Sequence, residues 1–279
     1  MSELRTRQEY LRHTECSNRT QRRLSYSAQL SISTGMLADG GCMSNFTRVS
    51  TGSAIVLVLV IVGVALRGSG GGPLPIDSTI MTALNGNATS QWTPVVDVLT
   101  LVFSPWTVIV WTALAAVILY VRDSGAVRAI ALIASVASAG ALCEALKVLV
   151  ARPRPPVTDQ LGVPETTYSF PSGHVTGTAS LVIAFVALVA RSVGIATRIV
   201  LWSCAAIVIV LVCLTRLYLG VHWISDVVAG IGVACAATLL ILPAVDLTTS
   251  TWRSHHRHLP DSTREHVNAR HRNTHAPSH

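Results

Sequence analysis

The sequence predicts an all-α membrane protein, a six-transmembrane-helix bundle with interfacial amphipathic helices and flexible cytoplasmic tails. Three observations lead there. Of 279 residues, 50% are hydrophobic and 13% charged, against about 25% charged in an ordinary soluble domain, and the mean hydropathy is +0.51. The apolar residues clump into runs such as 53–66, 126–150 and 198–214, which approach or reach the roughly 20 residues a helix needs to cross about 30 Å of hydrocarbon. The basic excess, a net charge of +7, lies largely at the two ends: seven of the 21 basic residues precede position 50 and five follow Thr248. Basic ends beside membrane spans mark the cytoplasmic side, and the same distribution argues against a nucleic-acid partner.

Residues 1–50 are rich in Arg, Ser, Thr and Gln, have no long apolar face and read as a flexible cytoplasmic tail. The apolar stretch of a cleaved signal peptide is missing from the first 30 or so positions, and Met36 and Met43 are alternative starts. The first span is expected at 53–67, ended by the loop-forming GSGGGPLP. Residues 76–103 mix apolar side chains with Asp77, Trp92 and Asp97, the composition of helices lying at the interface. Further spans are expected at 104–121, 126–150, 172–190, 197–215 and 222–245, with a proline-broken loop over 152–170. Residues 51–247 thus form the membrane domain, and 248–279 a His/Arg-rich tail that reads as solvated rather than metal-binding because its histidines are irregularly spaced. The six cysteines include no CxxC pair, so neither a disulfide framework nor a metal site is expected.

Six spans put both basic termini on one side, and Arg122, Arg128, Arg191 and Arg198 in the even-numbered turns agree with that side being cytoplasmic. The opposite, outward ends of the spans collect the polar residues lipid disfavours: Lys147, Ser172, His174, Arg216, His222 and Asp226. Charges so placed tend to line a functional cavity. Snorkelling at the membrane edge accounts for one or two of them but not for a one-sided cluster. Lys147 is the only lysine in the chain, and only two of ten histidines, His174 and His222, belong to the membrane body.

The spacing suggests a reaction. His222 and Asp226 are i and i+4 at the start of a helix and share a face. A carboxylate there can accept the imidazole Nδ1–H, fix the tautomer and leave Nε2 as a nucleophile. Pro171-Ser172-Gly173-His174 opens another helix, where the serine can cap, the glycine admits a ligand close to the backbone and free N–H groups favour an anion. A lysine, arginines, a helix N-terminus and two histidines suit phosphate.

The stretches KVLVARPRP (147–155), PSGH (171–174) and TRLYLGVHWISD (215–226) resemble the three signature motifs of the type 2 phosphatidic acid phosphatase superfamily, which also includes vanadium haloperoxidases. That family's pattern is K-x6-RP, PSGH and SR-x5-H-x3-D, and all three occur here in order with the right internal spacings; three spaced motifs together are far more specific than one. The resemblance implies a membrane lipid phosphatase that needs no metal or other cofactor. Lys147, Arg154, Ser172, Gly173 and Arg216 would bind the phosphate, with His222 as nucleophile, His174 as acid and base, and Asp226 orienting His222. Thr215 replaces the usual serine and keeps the hydroxyl. Of the two Arg-Pro dipeptides the family spacing selects Arg154, with Arg152 the alternative phosphate ligand. Glu144, outside the pattern, is expected to be a buried partner for a nearby cation.

The implied substrate is a polyprenyl diphosphate or a phosphatidate-type lipid, reached at the outer face of the cell membrane with its chains still in the bilayer; the motifs leave the headgroup and the oligomeric state open. Two other readings stand beside it: a phosphotransferase using the same phosphohistidine, and a non-enzymatic transporter retaining an anion site. A haloperoxidase has no evident need for six spans.

Overall fold

The computed structural model describes residues 44–85, 90–123, 125–161 and 163–257. Of the expected tails, 1–50 and 248–279, residues 1–43 and 258–279 lie outside the described residues, while 45–50 and 248–257 are helical. The helices are α1 (Asn45–Gly68), α2 (Pro75–Asn85), α3 (Thr93–Val102), α4 (Pro105–Asp123), α5 (Val127–Val150), α6 (Gly173–Val189), α7 (Ile195–Tyr218) and α8 (Ile224–Arg257), with short 3-10 turns at Ser90–Trp92, Val157–Asp159 and Ala190–Ser192. Six of these, α1 and α4 to α8, contain stretches long and apolar enough to cross a membrane. Helices α2 and α3 are the two shorter ones expected between the first two spans. The first span starts at Asn45, earlier than its apolar run suggests, because Thr47, Ser50 and Thr51 continue the helix.

Three helices, α5, α6 and α8, pack against one another at the centre, with α4 against α5 and α6, and α7 against α6. Over their spanning windows α6 and α8 are each 56% buried and α7 only 11%, so α7 is peripheral. Helix α1 closes the other flank: Leu59 and Leu66 join Cys143, Leu146, Val150, Phe170, Ala229 and Val233 in one buried cluster. A second cluster of Leu119, Leu132, Leu188 and Leu242 fills the opposite end of the bundle, where Arg128 pairs with Asp123 at 3.4 Å. Outward-facing Val58, Ile61, Val110, Ile118, Ile130 and Ile207 are exposed, a surface that lipid rather than water would cover.

Glycine sets one crossing that matters for the site. A Cβ on Gly230 of α8 would lie 3.0 Å from the Ser172 carbonyl oxygen and 3.2 Å from the Thr176 hydroxyl, so only glycine lets α8 pass this close to the start of α6. The Ser172 N–H then donates to the Asp226 carbonyl oxygen at 3.1 Å, tying the two helix starts together.

Candidate active site

Chain breaks at one end of the bundle place the polar residues. Helix α5 ends at Ala151, whose φ of 51° lies in the left-handed region and whose N–H reaches back to the Lys147 carbonyl at 2.8 Å; Pro153 and Pro155 follow and, lacking N–H groups, keep the chain from resuming a helix. Helix α7 ends at Tyr218, and Gly220, at φ +65°, forms the left-handed turn that carries the chain to His222. The Asp159 carbonyl packs against Gly220 where a Cβ would stand, so the 152–170 loop and this turn fit together only through a glycine. Helix α8 is then started by carboxylates: Asp226 accepts the Trp223 N–H at 2.9 Å and Asp77 accepts the Ser225 N–H at 3.0 Å, satisfying donors that have no partner within the helix.

Arg154, Arg216 and His222 meet at this mouth. Arg154 Nη1 lies 2.9 Å from His222 Nε2 and donates to the Val221 carbonyl at 2.8 Å, while Nε donates to the Thr167 carbonyl at 2.8 Å. A guanidinium has only donors, so His222 Nε2 is the acceptor and the ring proton of the neutral imidazole sits on Nδ1. That nitrogen faces Asp226 Oδ2 at 3.6 Å. The expected His222–Asp226 pair is therefore present but longer than a hydrogen bond, with Oδ2 also accepting the Trp223 N–H; catalytic contacts are often loose without substrate. Burial, reinforced by the charges of Arg154 and Arg216, holds the His222 pKa well below the ordinary imidazole value.

Both guanidinium groups also grip one carboxylate. Glu165 pairs with Arg154 at 2.9 Å and with Arg216 through a short contact. Burial pushes its carboxyl up, but Arg216 and Arg154 outweigh that and hold it below its usual value. Arg154 is lowered chiefly by burial. Glu165 is a residue sequence reasoning missed; its one legible signal is that it is an acid in a loop that follows an Arg-Pro-Arg-Pro run.

The remaining candidates converge from α5 and α6. A Cβ on Gly173 would lie 3.4 Å from Lys147 Nζ, so the ammonium sits against the start of α6. Lys147 also bonds Glu144 at 2.8 Å; Glu144 is the expected partner for a cation, but its side chain is 69% exposed rather than buried. Ser172 is the N-cap residue of α6, yet its hydroxyl makes no capping bond. Instead Ser172 Oγ, Arg216 Nε and Arg216 Nη1 are buried without a hydrogen-bond partner. Buried orphan donors are costly, and these three are available to an anion at the mouth. His174 lies half-buried in the first turn of α6, within electrostatic range of Arg216, Glu165, His222 and Arg154.

Arg152 stands apart. Fully buried, it donates through Nε to the Gly71 carbonyl at 3.3 Å, through Nη1 to Ser225 Oγ at 2.7 Å and Asp226 Oδ1 at 2.6 Å, and through Nη2 to the Gly72 carbonyl at 3.1 Å and Asp77 Oδ2 at 2.7 Å. These contacts use the five N–H groups of a guanidinium and leave none for an outside anion. Of the two Arg-Pro arginines, only Arg154 faces the mouth.

Residues 128–249, which carry all three motifs, match the PAP2 superfamily. Among solved structures the chain is similar to a transmembrane PAP2-type phosphatidylglycerolphosphate phosphatase from Bacillus subtilis, with 20% identity, a TM-score of 0.58 and coverage of 70% of this chain and 94% of that one. It is also similar to Aquifex aeolicus LpxE, at 17% identity, a TM-score of 0.49 and coverage of 61% and 96%. The first likeness shows a shared fold. No curated protein sequence matches the chain.

Proposed function

With residues 128–249 belonging to the PAP2 superfamily, we propose that the chain is a membrane lipid phosphatase that hydrolyses phosphate esters or diphosphates of lipids through a phosphohistidine. The observation that carries this reading is the oxyanion pocket itself: two arginines, a helix start and unpaired donors around a neutral imidazole whose Nε2 bears the lone pair. The substrate phosphate displaces Glu165 from Arg154 and Arg216 and also takes up Ser172 Oγ, the Gly173 N–H and Lys147. Such donors stabilise the charge that builds on the equatorial oxygens of the transition state. His222 Nε2 attacks phosphorus as the bond to the leaving oxygen breaks, and His174 gives that oxygen a proton. Water then attacks phosphorus, His174 takes its proton, and the N–P bond breaks to release phosphate. Asp226 balances the positive imidazole ring between the two steps.

The pocket lies at the end of the bundle that also bears α2 and α3, so a headgroup can enter while its chains stay in the bilayer. By the positive-inside rule this end faces outward and both termini face the cytoplasm. That setting favours phosphatidate-type lipids and polyprenyl diphosphates over soluble esters.

The test is a panel of phosphatidates, phosphatidylglycerophosphate and polyprenyl diphosphates assayed for free phosphate with detergent-solubilised protein. Release that persists in chelator and is blocked by orthovanadate is expected; full dependence on added magnesium would overturn the mechanism. Transfer of phosphate to an acceptor in place of release would mark a phosphotransferase, and an inert wild type a non-enzymatic anion site. The acid limb of kcat/KM is expected below pH 6.5: the nucleophile must be neutral, its pKa is lowered, so activity is lost only as pH falls through that lowered value.

Glu165 gives a separate expectation. Its side chain is 30% exposed, so it can swing out, and as an anion on the phosphate clamp it competes with substrate. Glu165→Gln should bind orthovanadate about tenfold more tightly, a modest effect because the pair is partly solvated. An unchanged or weaker inhibition constant would show that the carboxylate does not compete.

A further inference from the structure

Behind His222 and Asp226 lies a buried charged layer that the three motifs do not include. Arg152 and Asp226 are each 0% exposed and Asp77 1%. Asp77 comes from α2, outside the region that matches the family. Its Oδ1 accepts from Ser225 N at 3.0 Å and Ser225 Oγ at 2.8 Å, and its Oδ2 accepts from Arg152 at 2.7 Å and from Leu74 N at 2.9 Å. Burial pushes the Asp77 carboxyl up, yet the Ser225 and Leu74 N–H groups and Arg152 together hold it below its usual value, so it is ionised. The Trp223 ring lies over Arg152, 5.8 Å from the guanidinium carbon to the ring centroid.

Two carboxylates against one guanidinium leave this layer with one surplus negative charge at rest. Burying an unmatched charge is expensive, and a latch for α2 alone could be neutral: a serine or asparagine can cap a helix. The surplus has a use at the next residue along. Transfer of a phosphoryl group to His222 Nε2 leaves the ring cationic, and the carboxylate beside Nδ1 belongs to the same layer.

We propose that Asp77 and Arg152 are positioning residues for the reaction: Arg152 fixes Asp226 behind His222, and Asp77 supplies the second negative charge that leaves the layer neutral when the imidazole becomes positive. The inference rests on the phosphohistidine reading. It makes the interfacial helix α2 part of the catalytic apparatus. Without Asp77, the charges of Arg152 and Asp226 cancel, and the positive ring of the buried His222 is left uncompensated. The effect falls on kcat, because the compensation is needed only after binding.

The test is Asp77→Asn, which keeps the shape and removes the charge, in wild-type and Asp226→Asn backgrounds, with a short-chain phosphatidate and farnesyl diphosphate in detergent micelles. Expected is a kcat lowered roughly 10- to 100-fold, as for partners that hold a reacting group in place, with KM within about twofold, and a comparable further loss in the Asp226→Asn background because each aspartate removes one charge from the same layer. An unchanged kcat or a rise in KM alone would overturn the proposal in favour of a structural latch. If Asp77→Asn yields no folded protein by size exclusion, Asp77→Glu decides: keeping the charge should keep kcat within about fivefold of wild type, and a loss as large as that expected for Asn would overturn it. Wild-type protein inert on both substrates would overturn this inference together with the phosphatase reading; active wild type with unaffected variants overturns this inference alone.

Discussion

His222→Ala is expected to abolish phosphate release, with kcat falling on the order of 10⁴- to 10⁶-fold, the range seen when a nucleophile or its partner is deleted. The geometry gives the reason. Arg154 Nη1, a donor, sits 2.9 Å from Nε2, so the lone pair is held at the mouth. His174→Ala removes a proton donor and acceptor rather than the attacking atom, and should cost the smaller 10²- to 10⁴-fold typical of acid–base help. Orthovanadate should still bind the His222 variant, though more weakly, because Arg154, Arg216, Lys147 and Ser172 remain. The measurements are single-turnover hydrolysis and vanadate binding by calorimetry. Residual hydrolysis within tenfold of wild type would rule out His222 as the nucleophile. Retained binding without turnover would separate an enzyme from a transporter that keeps an anion site, since only the former depends on an attacking group.

Arg152→Ala should destabilise the protein more than any other single change in this region, by about 3–5 kcal/mol, the usual cost of removing one partner from a buried ion pair. It leaves Asp77 and Asp226 facing each other across a void with no cation, and it also strips donors from the Gly71 and Gly72 carbonyls. Arg154→Ala makes the contrast. Its main ionic partner, Glu165, is partly exposed and can turn to water, so that variant should lose phosphate binding and turnover while keeping most of its thermal stability. Melting in detergent, read beside vanadate binding, separates the two. If Arg152→Ala melted like wild type while Arg154→Ala collapsed, the assignment of a structural cation to the first arginine and a ligand cation to the second would be reversed.

The six spans were legible in the sequence because crossing hydrocarbon imposes a length and an apolar composition that nothing local can disguise, and the polar ends of α5, α6, α7 and α8 were legible as one mouth by parity alone. The residues of the three motifs were readable by spacing, down to the i, i+4 relation of His222 and Asp226. What the sequence left open was partnership. Each of Arg152 and Arg154 is followed by proline, and motif spacing alone selects Arg154; what Arg152 does was decided by the turn at Ala151, which aims it into the bundle and leaves Arg154 at the mouth. Asp77 meets Ser225 across 148 positions of chain, and Glu165 reaches Arg216 across 51. No periodicity encodes such pairs, because they are set by how α2 and the 152–170 loop fold back over the helix ends. Length and hydropathy thus determined where the chain crosses and which end is polar. Only the packed structure decided which charge answers which, since a buried ion selects its counter-ion by distance and by the absence of water, not by its place in the chain.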